Sequence, residues 1–307
     1  MFTMMPFDAA PSPRYTLYRQ QHTLAGEVRL SGIGVHSGVQ TDMKILPAPA
    51  GHGIIFARSD LAVRPLISAN YKNVSATHFC TVLKNSDGIE VMTVEHVMAA
   101  LRGLGIDNAL IEVGGPEVPI LDGSAEPFIT AIDTMGLVEQ SAPRQVLRIL
   151  REVRVENGAA FASIAPAPAS EFEFQIDYPG TAIGTQQFEV RLINGNFRRD
   201  IAAARTFGLH SDVIKLREMG LARGGSLDNA IVVDGDDILN DGGLRFDDEF
   251  VRHKVLDAIG DLYLAGAPVL GRYHGHRAGH TLNNQLLHAL FLDERNYALE
   301  TVASAAA

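Results

Sequence analysis

Short runs of alternating apolar and polar residues dominate the early chain. "YTLYRQQHTLAGEVRLSGIGVHSGVQTDMKILPAP" at 15–49 predicts several strands broken by glycines and closed by prolines. "IIFARSD" at 54–60 predicts another strand. "TVEHVMAALRGLGID" at 93–107 then changes period: Val94, Val97, Met98, Leu101 and Leu104 line up as the apolar face of a helix. Thr93 stands where an N-cap belongs, which puts Glu95 and His96 in the first turn. "NALIEVGG" reads as a strand, followed by the loop "PEVPILDGSAEP" and a helix from about Phe128 to Met135.

The order repeats after a polar break at 139–145, "EQSAPRQ". "VLRILREVRVENG", "FASIAPA", "EFEFQIDY" and "QQFEVRL" read as strands, and mixed segments and helices follow. Strands succeeded by helices in each half predict two α+β units rather than a βαβα parallel sheet. The expected plan is an arm over 1–14, a first domain over 15–140, a second over 145–300 and a tail over 301–307. "GLARGGSLDNAIVVDGDDILN" interrupts the second half with glycine turns and an apolar strand, as an inserted subdomain would.

One late helix carries an unusual polar side. In "FVRHKVLDAIGDL" at 250–262, His253, Asp257 and Asp261 follow at intervals of four, while Val251, Val255, Ile259 and Leu262 form the opposite stripe. A solvated face of His–Asp pairs is the simplest account of that spacing.

Composition narrows the function classes. A chain of 307 residues with 46% hydrophobic and 20% charged residues can bury a core without disulfide or metal staples. A net charge of −10 argues against general nucleic-acid binding, which needs clustered positive charge. No apolar run reaches the ~20 residues of a membrane span, and the start does not read as a secretory signal. The single cysteine, Cys80, rules out an intrachain disulfide and suits a reducing cytoplasm.

Histidines beside carboxylates change the picture further. Glu95 and His96 on one helix, with His253 and Asp257 on another, would supply three metal ligands and a spare base. Catalytic zinc takes three protein ligands and keeps a fourth position open. "HGHRAGHTLNNQLLHALF" adds His274, His276 and His280 ahead of an amphipathic helix. His280 suits an acid, and Asp261 could hold it cationic. Thr206 in "ARTFG" could donate to an oxyanion, and Lys254 suits a phosphate or a sugar hydroxyl.

Six stretches in order resemble one family: "SGIGVHSG", "TVEHVMAALRGLGIDNALIEV", "GPEVPILDGSAEPF", "ARTFG", "RHKVLDAIGDLYLAG" and "GHRAGHTLNNQLLHAL". From roughly Gln21 to Asn296 the chain resembles the UDP-3-O-acyl-N-acetylglucosamine deacetylases, zinc enzymes of lipid A synthesis in Gram-negative bacteria. The resemblance implies two α+β domains, each layering helices against a sheet with the active site between them. It also implies a βαβ insert in the second domain, here about 208–233, that shapes an apolar passage for an acyl chain. It assigns His96, His253 and Asp257 to one zinc ion, a set that also suits iron(II). Glu95 becomes the general base, His280 the catalytic histidine, Asp261 its partner and Thr206 the oxyanion-side hydroxyl. Lys254 and Phe207 would contact the sugar nucleotide, and Val213, Gly225, Ser226 and Val232 the passage. A cytoplasmic monomer acting on a small acylated sugar nucleotide is expected, with no nucleic acid and no integral membrane segment. Read from the residues alone, two alternatives stay open: another zinc amidohydrolase, or zinc that merely joins two halves without catalysis.

Overall fold

The computed structural model describes residues 19–193 and 195–302, so the arm expected over 1–14 and the end of the tail lie outside the described residues. The fold is α+β, with six α-helices among those residues. They are α1 (Glu95–Leu104), α2 (Glu126–Met135), α3 (Asn196–Asp200), α4 (His210–Glu218), α5 (Glu249–Tyr263) and α6 (His280–Phe291).

Five strands make the sheet of the first half, in the order Val28–Ile33, Gln40–Pro47, Ala109–Val113, Ile54–Arg58, Leu66–Ser68. Ala109–Val113 lies antiparallel to Gln40–Pro47 and parallel to Ile54–Arg58, with Ile45 opposite Ile111 and Phe56 opposite Ile111 on its other side. Burial alternates along Ala109–Val113, as a strand with one covered face requires. A seven-stranded sheet draws all its strands from beyond Arg144. Its hub is Val269–His276, which pairs with Gln145–Ile149, Ala160–Ala165 and Ser170–Tyr178.

The stretch expected as a polar break is extended chain. Leu137–Pro143 pairs antiparallel with Gln20–Leu24, and Arg144 alone separates it from the strand Gln145–Ile149. This two-stranded ribbon has no fully buried residue in 137–143, so it lacks the apolar alternation that marks a strand. Arg144 itself is buried, with its guanidinium on Asp107 at 2.6 Å and on the Gly105 carbonyl.

Two other boundaries differ from expectation. α2 begins at Glu126 rather than Phe128, because Pro127 sits in the first turn, where its missing N–H is not needed. Thr93 does not cap α1: the capping position is Val94, without a side-chain hydrogen bond. Thr93 has φ +58° and donates its hydroxyl to Glu117 Oε1 at 2.7 Å, a partner far along the chain.

The centre of the molecule is the crossing of α1 and α5. The solvated side that spacing alone suggests for α5 does not exist: His253, Asp257 and Asp261 are as buried as Val251, Val255 and Ile259. Gly260 makes the close crossing possible, since a Cβ there would overlap the Glu95 carbonyl oxygen. Among the described residues no helix is long and apolar enough to cross a membrane.

Candidate metal centre and active site

The α1–α5 crossing places two polar stripes face to face. His253 Nε2 lies 3.3 Å from Asp257 Oδ1, and His96 Nε2 lies 3.6 Å from the same oxygen. The ligating atoms of His96, His253 and Asp257 all fall within 4.8 Å of one another, and all three residues are buried. Two of the three have their outer atoms engaged. His253 Nδ1–H donates to the Ala204 carbonyl at 3.0 Å, and Lys254 Nζ donates to Asp257 Oδ2 at 2.8 Å. Among the described residues, neither Asp257 Oδ1, which faces both imidazoles, nor His96 Nδ1 has a hydrogen-bond partner.

A buried acceptor without a donor is costly unless something else satisfies it. A tetrahedral zinc with donors at about 2.0–2.2 Å would set them roughly 3.3–3.6 Å apart, as the two imidazoles stand from Asp257 Oδ1. Burial pushes the His253 imidazole down to about 3, which keeps it neutral with a lone pair to give. The residues fit a metal ion, and the backbone contact at Ala204 fixes the His253 tautomer such a ligand needs.

Glu95 and His280 flank this cluster. His280 Nε2 stands 3.7 Å from Glu95 Oε1, and its Nδ1–H donates to Asp261 Oδ2 at 2.8 Å. Burial opposes a charge on His280, yet Asp261 and Glu95 outweigh it and hold the imidazole up at about 10. Burial pushes the Glu95 carboxyl up, with His280 and His96 pulling the other way. Asp261 is fixed by two further donors, the Thr81 hydroxyl at 2.6 Å and Asn283 Nδ2 at 2.8 Å. Tyr273 in turn donates to Asn283 Oδ1 at 2.6 Å.

Thr206 enters from a tight crossing of backbones. Its amide donates to the Gly123 carbonyl at 2.8 Å, and its carbonyl accepts from the Ile231 amide at 2.8 Å. Next to it, Arg205 is locked by an ion pair at 2.9 Å to Glu249, the fully buried first residue of α5. Phe207 packs edge-on against Phe250, and the Lys254 ammonium lies 5.4 Å from its ring centre.

A cavity of about 930 Å³ opens over these groups. Glu95, His96, Thr206, Phe207, Lys254 and His280 line its floor and near wall. Val213, Gly225, Ser226 and Val232 line the far part, on a β–α–β unit whose strands Phe207–Leu209 and Ile231–Asp234 run parallel around α4. His253, Asp257 and Asp261 lie beneath, linked to the lining by the bonds above. His274 and His276 do not join the site; they sit on the strand Val269–His276 against Phe161. Cys80 is buried, and burial pushes its thiol up, away from a reactive thiolate.

Several neighbours escaped sequence reasoning. Asn283 stands inside a stretch quoted above and Thr81 outside all of them, and only the fold shows that both reach Asp261. A second cavity of about 420 Å³ shares Tyr178, Leu209, Lys254, Arg277 and Ala278 with the first. Arg277, at φ +51° in the turn before α6, places a second cation beside Lys254 at this junction. The only sequence signal was its place in "GHRAGH", next to the histidine.

Comparison with known proteins shows the family. The family profile for LpxC, UDP-3-O-acyl N-acetylglycosamine deacetylase, matches residues 21–292. The chain belongs to this family. It is 49% identical over 271 residues to the UDP-3-O-acyl-N-acetylglucosamine deacetylase of Phenylobacterium zucineum (strain HLK1), covering 88% of this chain and 92% of that protein. The enzyme of the same name from Myxococcus xanthus (strain DK1622) is 48% identical over 91% of this chain and 88% of its own length. That of Shewanella baltica (strain OS155) is 45% identical over 91% and 92%.

Proposed function

We propose that this family member hydrolyses the N-acetyl group of UDP-3-O-[(3R)-3-hydroxyacyl]-N-acetylglucosamine, releasing acetate and the free 2-amino sugar nucleotide for lipid A synthesis. The observation that carries the reading is a buried acid–base pair, Glu95 and His280, beside a three-donor metal cluster at the floor of a large, mostly apolar cavity. His96, His253 and Asp257 would hold one zinc ion. Bound there, zinc would supply Lewis acidity to the acetamide carbonyl and lower the pKa of the attacking water.

The chain's own groups complete the reaction. Glu95 accepts the proton of the attacking water, helped by a carboxyl whose raised pKa makes it a stronger base than an exposed one. The Thr206 hydroxyl donates to the oxygen on which negative charge grows. His280, held cationic by Asp261, donates a proton to the departing sugar nitrogen. Lys254 and Arg277 face the junction of the two cavities, where a diphosphate would find both cations, and Tyr178 offers a flat face to a base. Phe207 packs against the sugar, and Val213, Gly225, Ser226 and Val232 take the acyl chain. A cytoplasmic monomer completes the proposal, on the strength of the family resemblance.

The test is acetate release from the acylated sugar nucleotide by the chelated protein, before and after adding zinc or iron(II). Metal-restored release is expected, with Glu95→Gln about 10²–10⁴ slower at unchanged metal content. A zinc that merely joins the two halves would leave Glu95→Gln as active or inactive as the parent. Absence of release from folded, zinc-loaded protein would turn the assignment toward another amide substrate.

A further inference from the structure

"GPEVPILDGSAEPF" holds an acid that the reaction above does not use. Glu117 has no exposed surface. Its Oε1 accepts from the Thr93 hydroxyl at 2.7 Å and from the His36 amide at 3.0 Å, and its Oε2 accepts from the Ser37 amide at 2.7 Å. The turn at 34–38 is shaped around this carboxylate: a Cβ on Gly34 would overlap Glu117 Oε2.

The same turn receives the inserted unit. Arg223 N–H donates to the His36 carbonyl at 3.3 Å, and Gly224 N–H donates to the Val35 carbonyl at 3.1 Å. A Cβ on Gly224 would overlap the Gly34 carbonyl oxygen, so the two backbones meet closely. Val35, Ala222 and Gly225 thereby stand side by side in the cavity wall. On its other side Glu117 grips Thr93, whose φ of +58° is unfavourable for a β-branched residue. Thr93 leads directly into Val94, Glu95 and His96.

We propose that Glu117 is a positioning residue that registers the passage wall against the start of α1, so that one buried carboxylate places both the acyl chain and the acetamide. The proposal rests on the deacetylase reading above. Glu117 touches neither substrate nor metal ligands; it acts through two arms, the 34–38 turn and Thr93. Each donor would be left buried and unpartnered if it moved away, which is what makes the register stiff. Glutamine can keep both arms: the His36 amide also lies 3.2 Å from Oε2, so an amide oxygen placed there can accept from the His36 and Ser37 amides while the NH₂ donates to the Thr93 hydroxyl oxygen.

The experiment compares kcat and KM of the zinc-loaded full chain on two substrates, with a long and a short 3-hydroxyacyl group. Glu117→Ala should raise KM for the long chain about tenfold, the equivalent of two buried methylenes, while KM for the short chain stays near that of the parent. Its kcat should fall about a hundredfold on both, as for a misplacement of about 1 Å. Thr93→Val cuts one arm only and should lower kcat with the chain-length preference kept. Glu117→Gln should rescue both constants. Should Glu117→Ala not fold, Glu117→Asp, too short to reach both arms, takes its place with the same expectations. Parental constants in the alanine variant, equal KM changes for both chains, or a glutamine variant as impaired as alanine would each overturn the proposal. A parent enzyme inactive on both substrates would instead overturn the deacetylase reading.

Discussion

α5 and α4 face the same cavity under opposite conditions. Thirteen of the fifteen residues of α5 are buried, whereas α4 has no buried residue. On α5 the polar groups are held from several sides: Asp261 by Thr81, Asn283 and His280, and Asp257 by Lys254. On α4, Val213 and Leu216 turn to the cavity while Ile214 is half exposed. Proton transfer needs groups fixed to a fraction of an ångström, which only a satisfied, packed surrounding provides. Gripping an acyl chain needs apolar area, which a thinly packed wall can offer.

The largest break in that contrast should come from Asp261→Asn. Removing the charge that holds His280 cationic should pull the alkaline limb of the kcat/KM profile down by about a unit or more, each unit worth about 1.4 kcal/mol. The sign follows from the roles. The proposed reaction would need Glu95 deprotonated and His280 protonated, so its rate should rise with pH through Glu95 and fall through His280. A pH–rate profile with an unmoved alkaline limb would remove His280 as the acid. Next in size, Gly260→Ala should destabilise the fold by about 1–3 kcal/mol, because its methyl group must push α5 away from the Glu95 carbonyl. Thermal unfolding reads this effect, and an unchanged midpoint would show that the crossing is looser than described. Val213→Ala should be the mildest, with stability within about 0.5 kcal/mol of the parent. Its KM for a long-chain substrate should still rise several-fold, or about 1 kcal/mol for lost methyl contacts.

The two helices also differ in how far their sequences could be read. Spacing showed that His253, Asp257 and Asp261 share one side of α5, because helical period is local. It did not show that this side is buried, since burial depends on α1 arriving opposite, and Gly260 gives no sign of its partner until the two backbones meet. Thr93 misled for a related reason. Its hydroxyl looked like a cap for the next turn, but a buried acid 24 positions later claims it. The ribbon Leu137–Pro143 was read as a break because a strand with no buried face has no period to detect. Arg277 and Tyr178 received no role from the sequence because their cavity is closed by strands and turns far apart in the chain.

By itself the sequence determined the helices α1 and α5, the alternation of most strands, an α+β class and, through six ordered motifs, the family. Those properties depend on neighbours within a few residues, or on blocks long enough to be recognised without a fold. The tertiary structure alone decided which donors converge. Three ligating atoms from two helices fall within 4.8 Å of one another, and His280 from a third helix reaches both Glu95 and Asp261. Such distances follow from the packing of remote segments, where a missing Cβ at Gly260 or a shared carboxylate at Glu117 sets the geometry.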